Sequence, residues 1–199
     1  MSGRRHPRSS SPRIIAGTAR GRRLEVPPFG VRPTKDRVKA AVFSALDARG
    51  LLDGAVVLDL YAGCGALGLE SLSRGAAQVT FVERDLSALQ ALRGNVAALG
   101  WTDRAMVRAG AAERLAVERG PQAGSFDLAF VDPPYEMTDE RLDPVLAALV
   151  ERLPDGTIVL ERPARRSGPL PAPPGWSVTW ERTFGDTLIA FVQPQTDPF

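Results

Sequence analysis

From residue 55 onward the chain alternates short, wholly apolar runs with longer segments whose apolar positions recur at helical spacing. Residues 55–60 and 126–131 are almost continuously apolar, as expected for strands buried on both faces of a parallel sheet. Residues 78–83 and 157–161 read as further strands and 105–108 as a weaker one. Helices are predicted between them at 67–73, 86–99 (stopped by Gly100), 112–119 and 140–153. A proline-rich connection over 163–175 leads to two β-prone runs, 176–183 and 187–193, with Gly185-Asp186 between them. Strand and helix in alternation specify an α/β fold, a doubly wound and mostly parallel sheet, and the closing hairpin adds an antiparallel strand at its C-terminal edge.

Upstream of this core the pattern is different. Residues 13–18 and 22–27 are short β-prone runs around a glycine-containing turn and are expected to form a hairpin. Pro27-Pro28-Phe29-Gly30 breaks the chain, and Arg32-Pro33-Thr34 leads into a predicted helix over 35–48. Val38, Ala41, Val42, Ala45 and Leu46 form its apolar stripe, with Lys35, Arg37 and Lys39 placed on the polar face. Residues 1–12, rich in Ser, Arg and Pro, are expected to be a disordered basic tail. Three parts follow: a tail (1–12), a basic hairpin and helix (13–50), and a catalytic domain (51–199).

Charge sharpens this division. The net charge of +2 conceals twelve Lys or Arg against three acids in residues 1–50, and thirteen against twenty in 51–199. Such a split places a footprint for phosphates on the N-terminal segment, with Arg13, Arg20, Arg22, Arg23, Arg32, Lys35 and Arg37 as the candidate RNA contacts. One cysteine and one histidine in 199 residues leave no intramolecular disulfide, no zinc cluster and no Ser-His-Asp hydrolase. With no apolar run long enough to span a bilayer and no secretory pattern, a cytoplasmic, metal-free monomer with no membrane partner is expected.

The first core strand runs into Asp59-Leu60-Tyr61-Ala62-Gly63-Cys64-Gly65-Ala66-Leu67-Gly68. Gly63, Gly65 and Gly68 fit G-x-G-x-x-G in the required strand–turn–helix context. The first permits the tight turn, the second close approach of a ligand to the backbone, the third close packing of the helix. Glu83, twenty residues on and at the end of the next strand, is placed to accept hydrogen bonds from ribose hydroxyls. Both features suit either NAD or S-adenosylmethionine. Asp59 decides for the second, because an acid there faces a sulfonium or ammonium favourably and repels a pyrophosphate. Cys64, with no basic partner beside it, reads as a packing residue.

The strand over 126–131 ends in Asp132-Pro133-Pro134-Tyr135, at the sheet edge where α/β folds bind ligands. The two prolines stiffen the loop and supply carbonyls without N–H groups. An exocyclic amine of a nucleobase is a poor nucleophile because its lone pair is delocalised into the ring. Acceptors on both of its N–H groups, the Asp132 carboxylate and the Pro133 carbonyl, favour a pyramidal nitrogen with a free lone pair, while Tyr135 stacks on the base.

These residues resemble the class I S-adenosylmethionine methyltransferases that carry a D/N-P-P-Y/F/W tetrapeptide. From residue 13 onward the chain is similar to the RsmD family of 16S ribosomal RNA (guanine-N2)-methyltransferases. The similarity rests on Arg13-Ile14-Ile15-Ala16-Gly17, Gly21-Arg22-Arg23-Leu24, Arg32-Pro33-Thr34-Lys35-Asp36-Arg37-Val38, the glycine turn through Glu70, Arg74-Gly75-Ala76, the tetrapeptide, and Phe184-Gly185-Asp186-Thr187. It implies a Rossmann-like seven-stranded sheet and S-adenosylmethionine as methyl donor, with S-adenosylhomocysteine as product. Asp59, Tyr61, Gly63, Gly65, Gly68, Glu83 and Arg84 would line the cofactor, and the substrate would be a guanine of 16S rRNA in an assembling 30S subunit. The acid that many methyltransferases use for the adenine amino group is displaced here, so that task falls to Glu113 or to backbone groups. The tetrapeptide does not separate guanine N2 from adenine N6. A non-catalytic RNA-binding module and an NAD(P) oxidoreductase are the rivals from other classes; intact Asp132 and Glu83 speak against the first, and Tyr135 is a thin proton-transfer candidate for the second.

Overall fold

The apolar runs become five parallel strands and the closing hairpin joins the same sheet. The computed structural model describes residues 11–27, 36–117, 125–166 and 168–195. Residues 1–10 of the tail expected over 1–12, the candidate RNA contacts Arg32 and Lys35, and the end of the helix expected over 112–119 lie outside the described residues. In chain order the elements are α1 (Asp36–Asp47), β1 (Val56–Leu60), α2 (Ala66–Ser73), β2 (Gln78–Glu83), α3 (Leu86–Leu99), β3 (Ala105–Ala109), α4 (Ala112–Val117), β4 (Leu128–Val131), α5 (Asp139–Val150), β5 (Thr157–Pro163), β6 (Trp176–Phe184) and β7 (Thr187–Pro194).

The sheet runs β3-β2-β1-β4-β5-β7-β6. The first five strands are parallel, β7 is antiparallel to β5, and β6 is antiparallel to β7. Strand order therefore reverses between β1 and β4, the switch point at which open α/β sheets form a crevice beyond their carboxyl ends. The antiparallel strand is not the edge strand that the sequence suggested. Apolar β7 inserts beside β5 and is largely buried, while the more polar β6 takes the edge.

Alternation along each strand separates two cores. Val57, Phe81, Phe130 and Val159 face α1, α2 and α3, whereas Leu60, Val131, Ile158 and Leu160 face α4 and α5. Gly68 lets α2 lie directly on β2: a Cβ there would fall 2.3 Å from the Phe81 ring and 2.7 Å from Val79. Among the described residues, no helix is long and apolar enough to cross a membrane.

The two arms of the N-terminal segment meet as an irregular hairpin: Ile14 N–H donates to the Arg22 carbonyl (2.9 Å), Gly21 N–H to the Ile14 carbonyl (2.9 Å) and Leu24 N–H to the Pro12 carbonyl (2.8 Å), around the Arg13–Arg23 bridge. Other backbone groups of the segment dock on the core. Ile15 and Ala16 donate their N–H groups to Glu70 of α2 (2.7 and 3.0 Å), and Thr18 donates to the Ser73 carbonyl (2.8 Å). Glu25 is fixed to Asn95 of α3 through both its N–H and its carbonyl (2.8 and 2.9 Å). Lys39, expected on the polar face of α1, is fully buried. It lies one position from Val38 and three and four from Val42 and Phe43, on the stripe that packs inward, and its ammonium pairs with Glu70 at 3.3 Å. Arg74 reaches the same carboxylate at 2.8 Å and also pairs with Asp47. Burial drives the Lys39 pKa downward, opposed by Glu70.

Candidate active site at the β1–β4 crevice

Three carboxylates stand at or just beyond the ends of neighbouring strands: Glu83 on β2, Asp59 on β1 and Asp132 after β4. Asp59 is almost wholly buried, and its Oδ2 accepts the Gly68 N–H at 2.9 Å. The acid therefore clamps the first turn of α2. Burial holds its pKa well above the usual carboxylate range; the Gly68 bond opposes this, and the charges of Asp132 and Glu83 add to it. Burial likewise pushes Asp132 up to about 6.

Glu83 pins the glycine turn from the other side. Its Oε2 accepts the Gly63 N–H at 2.7 Å, and its Oε1 accepts those of Arg84 and Asp85 at 2.7 and 2.8 Å. Gly65, expected as a point of ligand approach, is also required by the fold itself. With φ near 85° it adopts a left-handed conformation, and a Cβ on it would stand 2.4 Å from the Leu92 side chain of α3. Helix packing and backbone conformation require that glycine.

Tyr61 is the one non-glycine residue at positive φ among those described, at 60°. Such a conformation costs about 1–3 kcal/mol and is found where surrounding contacts over-determine it. Here its hydroxyl meets Met137 Sδ at 3.5 Å. Burial and the Glu113 charge raise the Tyr61 pKa, opposed by Arg141 and Arg84. Nothing in the local sequence marks this strain; the signal lies in the contact with Met137, 76 residues away.

The tetrapeptide forms the opposite wall. Pro133 is buried, Asp132 is half-buried and Tyr135 is 44% exposed. The Tyr135 hydroxyl lies 3.2 Å from Thr187 Oγ1 at the start of β7, a contact the sequence did not reveal. The Pro134 carbonyl accepts the Met137 N–H at 2.9 Å and closes the loop. Cys64 is buried, its thiol pushed up to about 11 by desolvation, in keeping with a packing role.

The structure thus brings Asp59, Tyr61, Gly63, Glu83, Arg84, Glu113 and Asp132–Tyr135 to one edge of the sheet. Arg13, Arg20, Arg22, Arg23 and Arg37 are exposed on the N-terminal segment. Arg13 pairs with Asp36 at 3.0 Å, and Arg22 donates to the Ala98 carbonyl at the end of α3 (2.9 Å).

The model of a family described as conserved hypothetical protein 95 matches residues 12–193. The chain belongs to this family. Similar proteins include the ribosomal RNA small subunit methyltransferase D of Escherichia coli K12, 36% identical over 94% of this chain and 92% of that protein. The protein of the same name from Haemophilus influenzae is 33% identical over 87% and 89%. Among solved structures, protein TTHA0928 of Thermus thermophilus superposes with a TM-score of 0.77 at 33% identity, covering 91% of this chain and 98% of that one. Magnesium protoporphyrin IX methyltransferase of Synechocystis, solved with S-adenosylmethionine bound, is only 14% identical but reaches a TM-score of 0.63. The conserved hypothetical protein 95 family thus shares the class I methyltransferase fold.

Proposed function

We propose that this chain transfers a methyl group from S-adenosylmethionine to the exocyclic N2 amine of a guanine in 16S rRNA, acting on the assembling small subunit. The observation that carries this reading is the meeting of the tetrapeptide with the acidic glycine turn at the β1–β4 switch point. The relatives named as small-subunit rRNA methyltransferase D support the substrate class.

The donor set suits a cationic cofactor. A deeply buried Asp59 with raised proton affinity is stabilised by a positive group nearby, and Glu83 retains lone pairs for ribose hydroxyls after binding Gly63. Tyr61 and the Gly63–Gly68 turn form the remaining wall, with Arg84 and Glu113 at the rim. Bound there, S-adenosylmethionine supplies an electrophilic methyl.

The chain's own residues do the rest. The Pro134 carbonyl is engaged by Met137, so the Asp132 carboxylate and Pro133 carbonyl remain at the head of the loop as acceptors for the two amine hydrogens. Accepting both frees the nitrogen lone pair, and the stiff Pro-Pro backbone holds that geometry. Tyr135, tethered to Thr187, fixes the plane of the base. After methylation the nitrogen carries an excess proton, and Asp132, with its raised proton affinity, is placed to take it.

Labelled methyl transfer to undermethylated 30S subunits, followed by mapping of the modified base, tests this directly. Unchanged 16S guanine methylation in a deletion strain would sink the substrate. A tRNA1(Val) (adenine(37)-N6)-methyltransferase from Shewanella putrefaciens matches 40% of the chain at 35% identity, so the mapping must also read adenines.

Two further outcomes are expected. Glu83→Ala should weaken cofactor binding before it affects the chemical step, because it removes the ribose acceptor and frees Gly63. Loss of one hydrogen bond to a charged group, together with the loosened Gly63 turn, predicts about 2–4 kcal/mol, roughly 30- to 10³-fold in Kd by calorimetry. Charge reversal at Arg20, Arg22, Arg23 and Arg37 should weaken RNA binding and flatten its salt dependence, by about 0.7–0.9 in log–log slope for each phosphate left without its cation. If binding isotherms at several salt concentrations do not change, the basic segment is not the RNA grip.

A further inference from the structure

The active-site reading leaves a buried arginine beside the tetrapeptide loop unused. Arg162, near the carboxyl end of β5, is 7% exposed and shares the strand face of Ile158 and Leu160. Its Nη2 donates to the Met137 carbonyl at 2.7 Å and to Asp139 Oδ1 at 2.9 Å. Arg166 grips the other oxygen of the same carboxylate. Among the described residues, Nε and Nη1 of Arg162 are buried without a partner.

That arrangement is costly. Each unpaired buried donor costs about 1–3 kcal/mol, and an aliphatic side chain in the same place would avoid it. What Arg162 does hold is the junction of the site. Met137 closes the tetrapeptide loop through Pro134, contacts the strained Tyr61 through its sulfur, and lies two residues before Asp139, where α5 begins. Its position therefore sets the spacing between the loop after β1 and the loop after β4. The free donors of Arg162 are inaccessible to solvent, so an RNA phosphate does not reach them.

We propose that Arg162 is a positioning residue for methyl transfer: by clamping Met137 against Asp139 it fixes the distance between the Tyr61 and Asp132 loops, touching neither cofactor nor base. The inference rests on the methyltransferase reading above. Its sequence signal, Glu161-Arg162-Pro163, shows a charged residue where a buried strand ends, but not its partners.

The test is steady-state and single-turnover methyl transfer to undermethylated 30S subunits by the full chain, with Arg162→Lys, Arg162→Met and Asp139→Asn variants. Cofactor Kd and the unfolding midpoint are read on each. A misplacement of about 1 Å costs about 10²-fold in rate, so Arg162→Met should lower kcat by about that factor while KM for 30S and cofactor Kd stay within about twofold. Arg162→Lys, able to reach one acceptor but not to fork across two, should recover roughly tenfold of that loss. Asp139→Asn, which keeps the Met137 contact, should be the mildest.

An unchanged kcat in Arg162→Met overturns the proposal. So does a rise in KM for 30S at constant kcat, which would make Arg162 an RNA contact. Parallel falls in kcat, cofactor affinity and midpoint, with lysine no better than methionine, would make it merely structural. An inactive wild-type chain instead removes the underlying methyltransferase reading.

Discussion

Replacing Asp132 with alanine is expected to lower single-turnover methyl transfer by about 10²–10³-fold, the scale of losing one preorganised electrostatic contact to a transition state. Cofactor affinity should be almost unchanged, since Glu83 and the glycine turn, which would hold the cofactor, are untouched. Equal losses in both would show that the loop is only structural. Asp132→Asn is the more discriminating variant, because it keeps an acceptor oxygen and cannot titrate. Burial pushes the Asp132 pKa to about 6, so wild-type activity should rise with pH through about 6 as the carboxylate forms. In the asparagine variant that limb should vanish.

Stability should move the other way. A group whose folded pKa lies above its ordinary value of 3.8 binds more protons folded than unfolded, so its contribution is complete below about 4 and is lost as pH rises through 6. Asp132→Asn should therefore unfold no lower than wild type at neutral pH. A marked fall in its midpoint there would contradict burial as the cause of the shift.

The second large effect is expected at Glu70. Alanine there strands the fully buried Lys39 ammonium, removes one partner of Arg74, and leaves the Ile15 and Ala16 N–H groups without their acceptor. Breaking a buried ion pair from one side costs about 3–5 kcal/mol. For a chain of this size that corresponds to a midpoint lowered by about 6–20 °C in a thermal scan. Glu70→Gln should fall between, since it retains the acceptor and loses the charge. A shift smaller than about 2 °C in the alanine variant would mean that the joint is solvated or rearranges freely. Because Glu70 lies outside the crevice, folded material should keep its cofactor affinity.

The strands were legible because burial on both faces leaves no room for polar positions. Residues 78–83 and 86–99 were bounded in the sequence as they are in the structure, and the Asp132 loop followed its strand as expected. What could not be read were side chains whose partners lie far along the chain. Lys39 looks like a surface residue until Glu70 is brought to it, and the 13–27 segment reads as a hairpin without showing that Glu70, Ser73 and Asn95 anchor it to the core. Gly68 was legible as a packing glycine, whereas the packing demand on Gly65 was not, because the Leu92 side chain that fills its Cβ position comes from another helix. In the site itself, Asp59, Glu83 and Asp132 carried local signals of their roles, whereas nothing local showed the partners of Thr187, Met137 and Arg162.

Ile14, Leu24, Val38, Val42, Phe43 and Leu46 belong to the same buried cluster as Val57, Phe81 and Phe130. The basic segment is thus not an appendage clipped to a finished enzyme. Excising it would expose the underside of the catalytic sheet, and grafting another protein's RNA-binding arm in its place would require the matching faces of α2 and α3. Segment and sheet share one core, so the charge on the segment's surface can change by point substitution far more readily than the segment can be exchanged.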